Sequence, residues 1–474
     1  MLHYVDCVLH VVALAAYSVA RNGDCAYLVC PHFSYVKAAH VLIGVQLMKR
    51  RTFIQTAIAS AATTAAVSCA NRTTQVTNTS TQAAASGGDI KVGVLFSLTG
   101  GLAIIEKSLH DATLMAIDEI NTAGGVGGAK LVPIVEDAAS DPRTYQEKAR
   151  KLLISDNVTT VFGCYTSASR KAVLPIFQQR KGLLYYPTYY EGNECSGNCI
   201  YTGAVPNQQQ SNFVPWIVEN LNAKRFFIVG SNYVYPREMS KVCQILLKEN
   251  GGQVVADEYL PLGHTEWAPL VNRIRELKPD VVYSNVVGDS VIAFYREFRN
   301  QGLTAESLPI CATVTSEIEV AAMGAEFAAG HYTSFPYFQA IQSPTNTEWV
   351  KRVKERFGQN AVTHHAMECS YWQVHIFKQA AEQAGDLDPM RIREATIGQT
   401  YDAPVGRVVI DDNAHAFLTP RIAQAQSDGQ FRVVDEYPEP LEPLPYSAYG
   451  ETSQSRFCLR DGLDQEKAKA VTGT

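Results

Sequence analysis

Two short apolar runs in this chain each end in a turn rich in tyrosine and hydroxyl groups. The first run ends at Phe162 and continues as Gly-Cys-Tyr-Thr-Ser, and the second runs into the tyrosine-rich segment 185–190. Ligands of α/β sheets lie at the carboxyl ends of the strands, so both turns are candidate binding positions. Tyrosine rings and hydroxyl groups suit a small, neutral, polar molecule, and they do not suit a phosphate or a metal ion.

Alternating patterns of strand and helix surround both turns. Strands are predicted at 90–96, 131–135, 159–162 and 182–186, and helices at 110–121, 144–155 and 168–179. The pattern then restarts, with strands at 225–230, 253–259, 280–285 and 308–311 and helices at 237–250, 267–277 and 290–300. Such alternation indicates an α/β fold in which helices cover both faces of parallel sheets.

Two blocks of comparable length, divided near residues 205–212, predict two Rossmann-like lobes. Further helices are predicted at 347–357 and 365–384, and hairpin-like strands at 406–410 and 430–434. Two similar lobes favour a hinged pair that closes on a ligand.

The segment that begins at Met48 has the pattern of a secretory signal. Basic residues precede a run of small apolar residues at 54–67, which ends at Cys69. We therefore predict a signal peptide at 48–69, and its Arg-Arg-Thr-Phe sequence resembles a twin-arginine signal. Ala-Val-Ser-Cys resembles a relaxed lipobox, which predicts lipidation of Cys69. Simple cleavage to a soluble periplasmic protein is the alternative.

Two further segments are predicted to lie outside the folded body. Residues 1–47 precede the second leader and are interpreted as an upstream extension. Residues 70–88 are rich in Thr, Ser, Gln, Ala and Gly, which predicts a flexible tether. The protein would then contact a membrane only through its lipid anchor.

The composition argues against a nucleic-acid partner, and it leaves undecided whether one pair of cysteines forms a disulfide. The formal net charge is -6 and no long Lys/Arg cluster occurs, so we expect no nucleic-acid partner. Cys195 and Cys199 lie four positions apart and are predicted either to form a small disulfide or to be free thiols. No CxxC pair occurs, so no zinc site is expected. His364 and His365 are predicted to be surface residues with no acidic or cysteine partner in register.

Catalytic motifs are missing from the sequence. It contains no Gly-x-Ser-x-Gly elbow and no phosphate-binding Gly-x-x-x-x-Gly-Lys loop. The Gly-rich segment 124–128 follows a helix and not a strand, so it lacks the context of a dinucleotide site. We therefore predict a protein that is not an enzyme and has no cofactor.

Several longer motifs resemble the periplasmic binding protein type 1 family in its amide and urea branch. This branch contains the receptors of urea ABC transporters and the amide sensor of amidase operons. The resemblance covers about residues 90–446. Its motifs are Ala139-Ser-Asp-Pro, Phe162-Gly-Cys-Tyr-Thr-Ser-Ala-Ser-Arg-Lys, Tyr186-Pro with Tyr190-Glu-Gly, Tyr233-Val-Tyr-Pro-Arg and Glu258-Tyr-Leu-Pro-Leu-Gly.

The resemblance implies a ligand held between two lobes that a multi-strand hinge joins. The first lobe would comprise residues 89–208 and 337–400, the second 209–336 and 401–446, and 447–474 would be a C-terminal tail. The implied ligand-binding residues come from turns of both lobes: Ser97, Tyr165, Ser167, Tyr186, Pro187, Thr188, Tyr233, Tyr235, Asp289 and Thr315, with Thr99 beside Ser97.

The residue types fit urea or a small amide on chemical grounds. Ser167 can donate and accept hydrogen bonds, and an ionised Asp289 accepts from an NH₂ group. Other roles stay open, because Tyr165 or Tyr186 could be packed rings, and Ser167 or Asp289 could cap the helices that follow them.

We therefore predict an extracytoplasmic receptor that captures urea and delivers it to ABC permease subunits. A receptor for short-chain amides, in transport or sensing, is the alternative. Urea-binding members often carry Trp at the position of Tyr165, whereas the Pro-Thr of 187–188 is closer to the amide sensors. A cytoplasmic amide sensor is disfavoured by the export signal, and an amidohydrolase by the missing nucleophile and base.

Overall fold

The computed structural model describes residues 88–194 and 196–444. The predicted extension, the signal peptide with Cys69, almost all of the tether, the tail and Cys195 lie outside the described residues. The lipidation and the pairing of Cys195 with Cys199 therefore stay predictions. None of the helices in the two described ranges is long and apolar enough to cross a membrane.

The first sheet has five strands in the order β2-β1-β3-β4-β5, and every pair in it is parallel. Its strands are β1 (Ile90–Phe96), β2 (Leu131–Asp137), β3 (Thr160–Gly163), β4 (Leu184–Tyr186) and β5 (Cys199–Tyr201). Helices α1 (Ala103–Thr122), α2 (Pro142–Arg150) and α3 (Ser167–Arg180) connect them, and a π-helical turn, Lys151–Ser155, extends α2. Strands β3, β4 and β5 are buried throughout, as expected when helices cover both faces of a parallel sheet.

The second sheet has seven strands in the order β14-β13-β10-β9-β8-β6-β7. Its parallel strands are β6 (Arg225–Ser231), β7 (Gln253–Leu260), β8 (Val281–Asn285), β9 (Ile310–Ala312) and β10 (Tyr332–Phe335). The helices of this part are α4 (Phe213–Asn220), α5 (Val234–Glu249), α6 (Ala268–Leu277), α7 (Asp289–Asn300), α8 (Glu317–Met323) and α9 (Ala325–Ala328). Antiparallel strands β13 (Arg421–Ala425) and β14 (Phe431–Glu436) complete the sheet at one edge.

After β10 the chain returns to the first lobe. This segment contains α10 (Pro344–Phe357), α11 (His365–Ala384), α12 (Pro389–Thr396) and the hairpin of β11 (Thr400–Ala403) and β12 (Gly406–Val409). Helix α11 packs along α1, and the Phe377 ring lies 5.5 Å from that of Phe162 in β3. The chain therefore passes between the two sheets three times, after β5, after β10 and before β13.

The predicted fold class is confirmed: two lobes are built on largely parallel sheets. One predicted boundary differs from the observed packing. The predicted second lobe resumes at residue 401, which lies inside β11. The Tyr401 ring stacks on His375 of α11 at 5.0 Å, so this hairpin packs with the first lobe. The chain rejoins the second sheet only at β13.

Candidate functional site

A narrow cavity lies where the two lobes meet, and we call it the interlobe cavity. The space between its lining atoms, part of which is open to solvent, is about 190 Å³. Its walls come from both lobes and from the segments that follow the second crossing: Ile105, Tyr165, Tyr189, Ser316, Glu319, Phe335, His364, His365 and Ala366. The cavity therefore combines aromatic surface with hydroxyl, carboxyl and imidazole groups.

Tyrosines from both lobes form a continuous cluster beside this cavity. The hydroxyl groups of Tyr165 and Tyr189 lie 3.0 Å apart, and the Tyr186 hydroxyl donates to the Tyr165 carbonyl oxygen at 2.6 Å. Across the cleft, the Tyr235 ring is 5.7 Å from Tyr189 and 6.4 Å from Tyr233. The structure thus brings together four predicted tyrosines, and it adds Tyr189, which the list of predicted site residues lacks.

A buried ion pair supports the turn that carries Ser167. The Arg170 guanidinium lies 2.9 Å from a carboxylate oxygen of Glu191, and both side chains are fully buried. The Ser167 hydroxyl donates to the other oxygen of Glu191 at 2.5 Å and accepts from Arg170 at 3.1 Å. Thr166, and not Ser167, caps α3, because its side chain accepts from the Ser169 backbone N–H. The capping role considered for Ser167 is therefore wrong.

The turn after β4 presents a buried hydroxyl group. Pro187 and Thr188 are buried, and the Thr188 hydroxyl has no hydrogen-bond partner among the described residues. Buried polar groups in native proteins are nearly always paired, so an unpaired hydroxyl here is consistent with a ligand contact. Gly203 packs directly on this turn, since a Cβ atom on it would lie 2.2 Å from the Thr188 carbonyl carbon.

The second lobe contributes a buried acid at the start of α8. One carboxylate oxygen of Glu319 accepts from the Ser316 backbone N–H at 2.8 Å and from its hydroxyl at 2.6 Å. Burial raises the pKa of Glu319 above its ordinary value. Predicted residue Thr315 is buried directly before Ser316, and the Tyr235 hydroxyl donates to Thr313 at 3.4 Å. Glu319 was not predicted, although it lies four residues beyond Thr315.

Among the predicted site residues, Tyr165 alone lines the cavity as the described residues define it. Ser97, Thr99 and Asp289 make contacts elsewhere. The Ser97 backbone N–H donates to Glu106 at 2.6 Å, and Thr99 is exposed and donates to Asp137 at 2.8 Å. Asp289 is exposed, and its backbone N–H donates to the Gly101 carbonyl oxygen of the other lobe at 3.3 Å. Gly288 occupies the N-cap position of α7, so the capping role considered for Asp289 is also wrong.

The surface prediction for His364 and His365 is wrong, because both are almost fully buried in the cavity wall. A His364 ring nitrogen pairs with the Ser108 hydroxyl at 2.7 Å, and the His365 ring stacks on Tyr189 at 6.2 Å. Burial lowers the pKa of each histidine to about 3, so both imidazoles are neutral at pH 7. The sequence does place Glu368 and Cys369 three and four positions after His365, on the same face of a helix.

Comparison with known proteins decides the family. A family model described as a periplasmic binding protein domain matches residues 90–452. The chain belongs to this periplasmic binding protein family. The likeness extends over the two lobes and the crossings between them.

Curated relatives give the same assignment. The binding protein for leucine, isoleucine, valine, threonine and alanine of Pseudomonas aeruginosa is 24% identical over 68% of this chain and 86% of that protein. A limonene hydroxylase of Geobacillus stearothermophilus is 35% identical over 26% of this chain, but the match covers only 23% of that protein. So short a match carries no argument about activity.

Solved structures share the fold. A solute-binding protein of an ABC transporter from Rhodopseudomonas palustris, in complex with 3,4-dihydroxybenzoic acid, has a TM-score of 0.70 at 21% identity over 75% of this chain and 98% of that chain. The isoleucine complex of a branched-chain amino acid receptor from Streptococcus pneumoniae has a TM-score of 0.66 at 20% identity over 75% and 100%. The family role is extracytoplasmic solute binding for ABC transporters, and it is not catalysis.

Proposed function

We propose that this receptor binds urea or a short-chain amide between its lobes and delivers it to an ABC permease. One observation carries the proposal: the described residues that line the interlobe cavity include Glu319 but neither Lys nor Arg. A carboxylate ligand would be buried beside this acid without a cationic side chain in the wall, which is unfavourable. A neutral ligand avoids that cost.

The groups in and beside the cavity match the hydrogen-bonding capacity of an amide. A urea carbonyl oxygen accepts from tyrosine, serine or threonine hydroxyls, and its NH₂ groups donate to carboxyl or phenol oxygens. Thr188 has a buried, unpaired hydroxyl to offer, and Tyr165 presents its hydroxyl beside that of Tyr189. The aromatic rings of Tyr189 and Phe335 would cover the flat faces of the ligand.

The size of such a ligand limits its affinity. Urea and acetamide have four heavy atoms each, and the best small ligands gain about 1.5 kcal/mol per atom. The upper limit of roughly 6 kcal/mol corresponds to a dissociation constant of some tens of micromolar. Affinity near this limit needs nearly complete enclosure, which is consistent with the observed contact of Asp289 with Gly101 across the cleft.

A carboxylate ligand is the second candidate, and the relatives favour it. Their names and complexes include branched-chain amino acids and hydroxybenzoates. Such a ligand would have to place its carboxylate on backbone N–H groups or on hydroxyls, because the part of the cavity wall that the structure describes contains no Lys or Arg.

Calorimetric titration of the purified protein with urea, acetamide, formamide, leucine and 4-hydroxybenzoate distinguishes the two candidates. We expect urea or an amide to bind with a dissociation constant of tens of micromolar. Thr188→Val should weaken that binding about fivefold, because one hydrogen bond contributes roughly 1 kcal/mol. Thr122→Val, at an exposed position on α1, is the matched control. Binding of leucine or 4-hydroxybenzoate alone would refute the proposal.

A further inference from the structure

The first turn of α11 carries three side chains that commonly bind metal ions. His365, Glu368 and Cys369 are spaced at i, i+3 and i+4, which places them on one face of the helix. All three are buried, and their potential ligand atoms lie within 4.8 Å of one another. The group combines a nitrogen, an oxygen and a sulfur donor, so it is not a simple cluster of acids.

The distances within this group match a tetrahedral metal site. The Cys369 sulfur lies 3.7 Å from Nδ1 of His365 and 3.7 Å from Oε2 of Glu368. Zinc binds sulfur at about 2.3 Å and nitrogen or oxygen at about 2.0–2.1 Å, so a tetrahedral angle separates these ligand atoms by about 3.6 Å. The sulfur also lies 3.9 Å from Nε2 of His365, so the imidazole has to rotate to direct one nitrogen at an ion shared by all three side chains.

We propose that His365, Glu368 and Cys369 bind a zinc ion whose fourth position opens towards the interlobe cavity. His365 belongs both to this group and to the cavity wall, which gives the ion a route of entry when the lobes separate. A thiolate, a carboxylate and a neutral imidazole together balance the charge of a divalent cation, so the buried site is neutral overall. The sulfur ligand favours zinc over magnesium or calcium.

Neighbouring backbone groups already orient two of the three ligands. The Val405 backbone N–H donates to Oε1 of Glu368 at 3.1 Å, which leaves Oε2 directed towards the sulfur. The Cys369 thiol donates to the Thr202 carbonyl oxygen at 3.3 Å, which places its sulfur beside β5; this hydrogen bond is lost when the thiol deprotonates to bind a metal. A hydrogen bond made to the ligand itself, like that from Val405 to Glu368, is typical of protein metal sites. The inference does not depend on which solute the cavity binds.

Cobalt(II), a spectroscopic substitute for zinc, tests the site in the full-length protein kept reduced. We expect the visible absorption of tetrahedral cobalt together with a sulfur-to-cobalt charge-transfer band. Both should disappear in Cys369→Ala and remain in Cys311→Ala, which removes a buried thiol from β9 of the other lobe. Equilibrium dialysis with zinc should show that Cys369→Ala and His365→Ala each lose one equivalent relative to the wild type.

A wild-type protein without the charge-transfer band would refute the proposal. An unchanged zinc stoichiometry in Cys369→Ala and His365→Ala would refute it as well. Circular dichroism establishes that each variant is folded. If Cys369→Ala does not fold, Cys369→Ser replaces it, because serine can keep the contact with Thr202 while losing the thiolate. Loss of the band in Cys369→Ser then supports the site, and its retention overturns it.

Discussion

Replacing Arg170 with methionine should both destabilise the protein and weaken its ligand binding. The guanidinium pairs with Glu191 and lies over the Tyr186 and Tyr190 rings, 4.9 Å and 4.3 Å from their centres. Methionine keeps most of the apolar volume, but it leaves the fully buried Glu191 carboxylate without that partner. Breaking a buried ion pair by removing one member costs about 3–5 kcal/mol.

An exposed ion pair elsewhere supplies a matched control. Arg391 is paired with Asp386 at 2.9 Å, and about two thirds of its side chain is exposed (67%). An exposed pair of this kind contributes at most about 1 kcal/mol. Arg391→Met should therefore leave the free energy of unfolding nearly unchanged. Unfolding is best measured in guanidinium chloride, because urea is a proposed ligand.

Arg170→Met should also disturb the binding site. Arg170 and Glu191 both form hydrogen bonds with the Ser167 hydroxyl. Losing one of these bonds leaves the hydroxyl, a predicted ligand-binding group, free to rotate. We expect at least a tenfold loss of affinity in calorimetry, equivalent to about 1.4 kcal/mol. A double variant, Arg170→Met with Glu191→Leu, should recover much of the stability, because no buried charge is left unpaired, but not the binding. Wild-type stability and affinity in Arg170→Met would refute this reasoning.

Three further changes test other parts of the structure. Gly203→Ala should abolish ligand binding, because its Cβ would collide with the backbone of Thr188; titration of this variant with wild-type affinity would contradict the packing. Burial raises the pKa of Glu106 from 4.5 to about 7, so the unfolded chain loses this proton at lower pH than the folded protein. Stability should therefore fall as pH rises from 4.5 to 7, by about 3 kcal/mol from this residue. Glu106→Gln should remove that part of the slope in guanidinium unfolding, and an unchanged slope would exclude Glu106 as its source. Asp289→Ala should leave the affinities for urea and acetamide nearly unchanged, because Asp289 is exposed and does not line the cavity; a selective loss of urea binding in calorimetry would contradict this placement.

Much of the fold was predictable because the elements carry strong local patterns. The prediction for α11, His365–Ala384, coincides with the observed helix, and most long strands and helices differ only at their ends. The short strands β5, β10, β11 and β13 were not predicted. Their three to five residues are too few for a periodic pattern, and long-range pairing within a sheet stabilises them.

The candidate site was predictable where residues follow a strand directly. Tyr165, Tyr186 and Tyr235 lie at or shortly after the ends of strands, so their types and positions point to the cleft. Tyr189, Glu319 and His365 reach the same cavity from different elements, and their contacts depend on how the lobes pack. A single sequence gives no measure of that packing.

The sequence by itself determined the alternating α/β pattern, the two lobes and the tyrosine-rich turns, because each depends on residues close together in the chain. Tertiary structure decided which side chains share the interlobe cavity. It also buried the two histidines that the sequence placed on the surface, since α11 packs along α1 after a crossing between sheets. It left Asp289 exposed at the contact between the lobes. Burial of this kind depends on contacts between residues hundreds of positions apart, which local patterns do not encode.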